Sequence, residues 1–94
     1  MDIVWGNVGK ILSGQIFELN ITHRKNENKN NYSDTEKIKI KKTDLGGLLI
    51  QVNEFTKELL ENNISGMFVK CEIIEKDVEG NYVSSVFHSG QGGY

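Results

Sequence analysis

The basic side chains of this chain are concentrated in residues 20–42. That stretch holds the only arginine and six of the ten lysines against three carboxylates, so its net charge is +4, whereas residues 43–94 carry −5. A basic segment on an acidic body is a typical footprint for the phosphates of a nucleic acid, because lysines that neutralise phosphates release counter-ions. The alternative is that these lysines only coat a solvated strand face.

Single-stranded nucleic acid is held by cationic groups along its phosphates and by rings on which its bases stack. The candidate residues are Arg24, Lys25, Lys29, Tyr32, Lys37, Lys39, Lys41 and Lys42. Trp5, Phe17 and Tyr82 are expected to pack within the fold instead. The pI of about 5.6 is low for a nucleic-acid-binding protein. A protein partner or self-assembly without a nucleic-acid role is therefore the alternative function.

Signals for catalysis and metal binding are weak. Cys71 is the single cysteine, which excludes an intramolecular disulfide and a cysteine-rich zinc site. His23 and His88 do not stand at metal-ligand spacing from it and are predicted to be surface residues. Ser33 and Asp34 lie near His23, but no nucleophile signature surrounds them. No glycine run forms a phosphate-binding loop. We therefore expect no metal and no cofactor.

The elements that must position the basic side chains begin with a predicted β-hairpin. Residues 7–12 predict a short strand, and Ser13-Gly14-Gln15 predicts a turn. Residues 16–22 alternate between apolar and polar side chains, which is typical of a half-buried strand. The apolar face of that strand consists of Phe17, Leu19 and Ile21.

Residues 23–35 contain one aromatic side chain and no aliphatic one. A segment of this composition is expected to bury nothing and to form a mobile polar loop. Polar loops of this length are often functional or disordered. The alternative is an expanded insertion without a role.

The remaining segments complete the predicted order of elements. Residues 36–43 predict a strand with Ile38 and Ile40 inward. Leu48 to Asn62 predict a helix whose apolar stripe consists of Leu48, Val52, Phe55 and Leu59. Two further strands, at 67–74 and 82–87, flank a turn at 77–81, and residues 88–94 form a frayed tail. The chain is thus expected to be one mainly β domain spanning 1–94, a five-stranded OB-type barrel with one α-helix between strands 3 and 4.

Five segments, in this order, also carry a family resemblance: residues 7–19, 37–44, 54–60, 66–71 and 77–83. They resemble the opening hairpin, third strand, first helix, following strand and Asp-x-x-Gly-Arg hairpin of the staphylococcal-nuclease-like (thermonuclease) family. The resemblance covers roughly residues 8–87 and implies a barrel that once cut phosphodiesters. Chains of the family continue with further helices, and loss of that cover would favour self-association.

The departures from the family pattern are concentrated at the positions that carry out catalysis in the family. These positions correspond to Ser13, Gln15, Lys39, Asp44, Gly47 and Asn81. Ser13 and Gln15 stand where the family has the aspartates of its calcium-binding turn. Lys39 and Asn81 replace its two catalytic arginines, and a lysine cannot grip a phosphate with a planar pair of donors. Gly47 aligns with its general base, whereas Asp44 keeps the family's aspartate.

These departures imply a barrel without a working catalytic site, because a mechanism that needs two arginines cannot run on one. The chain is predicted to be a noncatalytic binding module for single-stranded nucleic acid, and a calcium-dependent nuclease is the further alternative. The first residues lack the basic start and apolar core of a signal peptide, and no stretch is apolar enough to span a membrane. A cytoplasmic location without membrane contact is expected.

Overall fold

The computed structural model describes residues 1–45, 48–50 and 57–88. Its elements, in chain order, are β1 (Asp2–Ile11), β2 (Ile16–Arg24), β3 (Thr35–Leu45), β4 (Leu48–Ile50), α1 (Lys57–Ile64), β5 (Phe68–Lys76) and β6 (Tyr82–His88). The tail prediction covered His88, which belongs to β6; residues 89–94 lie outside the described residues, as do Gly46 and Gly47.

Five of the strands close into a barrel. β1 pairs antiparallel with β2 on one side and with β5 on the other. β6 pairs antiparallel with β5 and parallel with β3, and the antiparallel pairing of β2 with β3 completes the ring. The short β4 pairs with the end of β3. The predicted fold class, a mainly β five-stranded barrel with one helix between its third and fourth strands, is confirmed.

The alternating sequence of the strands fills the barrel interior. Phe17 and Leu19 on β2 and Ile38 on β3 are fully buried, and Ile40 is 2% exposed. The residues between them are polar and face outward, as the period of two predicts. The inward prediction for Ile38 and Ile40 is therefore confirmed.

The first strand is longer than the predicted 7–12, because its first half pairs with a distant segment. Asp2 to Asn7 run beside residues 68–73 of β5, and Val4 is fully buried. Between Trp5 and Gly6 the pairing with β2 shifts register. A side chain at Gly6 would overlap the carbonyl oxygen of Asn20, so only glycine allows the two strands to approach this closely.

The helix prediction for residues 48–62 is only partly right. Residues 48–50 form β4, and α1 begins at Lys57 and ends at Ile64, whereas residues 51–56 lie outside the described residues. Two of the predicted stripe residues, Val52 and Phe55, belong to that undescribed segment. Among the side chains of α1 that the structure describes, Leu60 and Ile64 are fully buried. No helix in the described ranges is long and apolar enough to cross a membrane.

Different segments fill the two ends of the barrel. Leu60 and Ile64 of α1 join the core on the side of Val8. Just after the helix, the carbonyl of Met67 accepts the N–H of Val8, and the N–H of Gly66 donates to the carbonyl of Val8. At the start of β1 the polar segment between β2 and β3 packs in, with Tyr32 only 7% exposed. The prediction that residues 23–35 bury nothing is therefore wrong. The polar composition of this segment does not reveal that a single ring, that of Tyr32, is buried at the end of the barrel.

Candidate nucleic-acid interface

Three of the predicted cationic residues form a row on the outer face of β3. Lys37, Lys39 and Lys41 alternate with the buried Ile38 and Ile40, so their side chains leave the same side of the sheet. Alternate residues of a strand lie about 7 Å apart. We call Lys37, Lys39 and Lys41 the β3 lysine row. Lys42 follows in β3 opposite Ser85 of β6, and the register shift with β6 lies between Ile40 and Lys42, at Lys41.

The charges around this row leave it net positive. Lys37 stands opposite Glu18 of β2, and Lys39 stands opposite Ile16. In the described part of the chain the salt bridges are Arg24–Asp34, Lys57–Glu61 and Lys70–Glu72, so the row takes part in none of them. Because an unpaired ammonium group keeps its charge available to a ligand, the row meets the electrostatic requirement for phosphate binding.

Lys39 also faces the turn between β5 and β6. The carboxylate of Asp77 accepts hydrogen bonds from the backbone N–H of Asn81 at 2.8 Å and of Glu79 at 3.0 Å. These bonds lower the pKa of Asp77, with a smaller contribution from the charge of Lys39. Lys39 therefore helps to keep this turn carboxylate ionised.

Arg24 is engaged within the fold. Its Nε donates to the carbonyl oxygen of Tyr32 at 3.1 Å, and an Nη donates to Asp34 at 3.1 Å. It also lies beyond the β2–β3 pairing, which ends at Asn20. The structure therefore separates Arg24 from the β3 lysine row and gives it the task of holding the following loop.

That loop is held to the start of β1 by hydrogen bonds. The backbone N–H of Lys25 donates to the carbonyl of Ile3 at 3.1 Å, and the Asn28 side chain bonds both the N–H and the carbonyl of Ile3 at 2.8 and 2.9 Å. Lys25 and Lys29 are both exposed. The loop thus presents these two lysines at the barrel end rather than beside the β3 lysine row.

Asp2 is the residue that fixes this loop most firmly, and the sequence reasoning missed it. One carboxylate oxygen accepts the N–H of Lys29 at 2.8 Å; the other accepts the N–H of Asn30 at 3.1 Å, its side-chain amide at 3.2 Å and the Tyr32 hydroxyl at 2.8 Å. The Lys29 bond, followed by those from Tyr32 and Asn30, lowers the pKa of Asp2 against the opposing effect of burial. No local pattern around an acidic second residue signals such a role.

Tyr32 was predicted as a stacking ring, and the structure places it inside the fold. Its ring packs on Tyr82 with centroids 4.9 Å apart, and its hydroxyl donates to Asp2. Burial, with the Asp2 bond, raises the pKa of the Tyr32 hydroxyl, so it stays protonated as the donor. Because only 7% of the residue is exposed, the Tyr32 ring is not available to a base. This burial gives no support to Tyr32 as a stacking ring, and its assignment to the interface stays a prediction.

The positions where the family resemblance puts catalytic groups have structural tasks here. Ser13 Oγ accepts the N–H groups of Gln15 and Ile16 at 3.2 Å and shapes the first hairpin turn. The backbone carbonyl of Gln15 accepts the N–H of Ile40. Asn81 is buried and donates its amide to Asp77 at 3.2 Å. Asp44 pairs in β3 with Leu49 of β4, and Gly47 lies outside the described residues.

The thiol and imidazole groups add no reactive site. Cys71 is fully buried, and that burial raises the pKa of its thiol to about 12, so it stays protonated. His23 contacts the edge of Phe68, with ring centroids 6.4 Å apart. Within the described ranges, no three histidine, cysteine or carboxylate side chains come together in a group that could hold a metal ion.

Comparison with known proteins gives no family. No protein-family model, no curated protein and no solved structure matches this chain. The nuclease-like resemblance thus stays a prediction, and a function has to be argued from the barrel and its side chains.

Proposed function

We propose that this protein is a noncatalytic module that binds single-stranded nucleic acid along the outer face of β3. The observation that carries the proposal is the β3 lysine row, three ammonium groups at alternate positions of one strand with no salt bridge in the described part of the chain. An extended polyanion can follow such a row, since each ammonium neutralises one phosphate without requiring a particular base.

The form of the barrel supports the same proposal. A closed five-stranded barrel with a helix between its third and fourth strands has the element order of an OB-type fold. Folds of this type present the surface of strands 2 and 3 to single strands. In this chain those strands are β2 and β3, and the second of them carries the lysine row.

The noncatalytic part of the proposal rests on the chemistry of the side chains present. Cleaving a phosphodiester requires donors arranged around the charge that develops on the phosphate, and a group that activates the attacking water. The chain has one arginine, and Arg24 is bonded to Tyr32 and Asp34. Asn81, where the family resemblance expects the second arginine, is buried beside Asp77. Neither residue can act as a phosphate clamp at the β3 lysine row.

The test is binding of a fluorescently labelled single-stranded oligonucleotide, followed by anisotropy at about 20 mM salt, where phosphate contacts contribute most. The triple variant Lys37→Gln, Lys39→Gln, Lys41→Gln is expected to bind at least about tenfold more weakly than the wild type, because three counter-ion-releasing contacts are lost.

The matched control removes the same charge elsewhere. Lys10, Lys57 and Lys76 belong to β1, α1 and β5 rather than to β3, and replacing these three with glutamine should leave most of the affinity intact. Equal losses in the two triple variants would mean that net charge alone attracts the strand. Cleavage of the oligonucleotide by the wild type in the presence of calcium would contradict the noncatalytic assignment.

A further inference from the structure

A group of aromatic residues lies on the outer side of the barrel strands. Trp5 of β1 is paired with Lys70 of β5, and Lys70 is paired with Phe87 of β6, so the three side chains form one row across three strands. His23 of β2 is paired with Trp5 and touches Phe68 of β5. We call Trp5, His23, Phe68, Lys70 and Phe87 the aromatic face.

The burial of the neighbouring residues fixes the direction of these side chains. Val4, Val69, Cys71 and Val86, which alternate with them along the strands, are all fully buried in the barrel interior. Successive side chains of a strand point to opposite faces. The aromatic face therefore points outward, and the expectation that Trp5 packs within the fold holds only for part of its ring, because the residue is half-buried.

The chemistry of this face suits flat, apolar ligands next to an anion. Trp5, Phe68 and Phe87 are each half-buried, and Nε1 of Trp5 lies within the buried part, so the exposed part of the indole is carbon. Lys70 stands between Trp5 and Phe87 and reaches Glu72 at 3.6 Å. Carbon ring surface beside an ammonium group is the combination that single-stranded nucleic acid binders use for bases and phosphates.

The aromatic face is connected to the β3 lysine row through β6. Phe87 is paired with Asp44 of β3 on one side and with Lys70 on the other. Two strand spacings, roughly 10 Å, therefore separate β3 from the middle of the aromatic face. Since Asp44 lies beyond the Lys41 end of the row, a strand that continues past Lys41 can turn its bases across β6 toward these rings.

We propose that bases of the bound single strand stack on Trp5 and Phe87. The inference rests on the proposed function and assigns to it a second contact surface, on β1, β5 and β6 rather than on β2 and β3. Each stacked ring is expected to contribute about tenfold to affinity, within the range known for base–aromatic stacking.

The single tryptophan of the chain makes this testable without a variant. Titration of the wild type with an oligothymidylate, read by Trp5 emission and by anisotropy of the labelled strand, should give quenching and anisotropy that saturate together. Inorganic polyphosphate, which has phosphates but no bases, should compete for the protein without quenching Trp5. Equal quenching by polyphosphate would overturn the stacking assignment.

Two variants separate this inference from the proposed function. Phe87→Leu keeps an apolar side chain but removes the ring, and is expected to weaken binding about tenfold. Ile74→Leu, on the outer face of β5 but outside the aromatic face, should bind as the wild type does. Anisotropy that shows binding while Trp5 emission and the Phe87→Leu affinity stay unchanged would refute stacking and leave the β3 proposal intact. Absence of any binding at low salt would refute both.

Discussion

The carboxylate of Asp2 organises more of the structure than any other polar side chain described here. It is 8% exposed and accepts hydrogen bonds from Lys29, Asn30 and Tyr32. Burying a carboxylate costs free energy unless hydrogen-bond donors compensate its charge. Here the segment between β2 and β3 supplies all of these donors. Asp2 therefore couples the start of β1 to the segment that closes the barrel end.

Replacing Asp2 with asparagine is expected to lower the free energy of unfolding by about 1–3 kcal/mol, because the amide offers donors where the N–H of Asn30 and the Tyr32 hydroxyl need an acceptor. Urea unfolding measures this change. Asp34→Asn is the control, since the Asp34 side chain is 99% exposed and its pair with Arg24 should contribute less than about 1 kcal/mol.

The difference between wild type and Asp2→Asn should also depend on pH in a defined direction. The pKa of Asp2 in the folded protein lies below its ordinary value of 3.8. Its contribution is thus fully present above the unfolded-state pKa and is lost as the pH falls through the lower, folded-state pKa. Unfolding measured from pH 7 downward should show the two proteins converging in acid. A difference that widens on acidification would be inconsistent with this role.

At the scale of elements, the close approach of β1 and β2 depends on a missing side chain. A Cβ at Gly6 would overlap the backbone of Asn20, whereas one at Gly9 would meet mainly the flexible amide of the Asn20 side chain at 2.8 Å. Backbone cannot move aside without disturbing the pairing on which the barrel closes. The two glycines of β1 therefore differ in how much they resist substitution.

We expect Gly6→Ala to destabilise the protein by about 1–3 kcal/mol or more, as overpacking does, and Gly9→Ala to cost distinctly less. Chemical denaturation of the two variants under identical conditions measures the difference. Equal stability of Gly6→Ala and the wild type would mean that the strands can separate at this register shift at no cost.

The elements that the sequence predicts well are those whose burial follows a local period. Phe17, Leu19 and Ile38 alternate with polar side chains, and that alternation alone places them inside. The first half of β1 and the strand at 48–50 were missed because pairing with another segment, not local pattern, makes them strands. The burial of Tyr32 was missed for a similar reason, since Asp2 and Tyr82 reach it from distant parts of the chain.

The candidate interface also has a part that the sequence predicts and a part that it does not. The β3 lysine row could be predicted, because its spacing follows from the strand period. The position of Arg24 and the aromatic face could not, since they depend on which strands become neighbours in the closed barrel. Registers between distant strands are set by tertiary packing and by turn geometry, which a single sequence does not display.

At the scale of the whole molecule, the proposed function requires the barrel to attract a polyanion although its net charge is −2. A negative body weakens long-range attraction, so affinity must come from local contacts between ammonium groups and phosphates. A basic row on one strand, with acidic residues elsewhere, would supply such contacts, and we expect the resulting binding to depend strongly on salt. Self-association stays a separate prediction, and sedimentation of the free protein would detect it.

The most direct measurement is the affinity for a labelled single strand as a function of salt concentration. If Lys37, Lys39 and Lys41 each neutralise one phosphate, the logarithm of the association constant should fall with the logarithm of salt concentration with a slope of about −2. In the triple glutamine variant of these lysines the slope should approach zero. A flat dependence in the wild type, or the same steep slope in the variant, would contradict binding along the β3 lysine row.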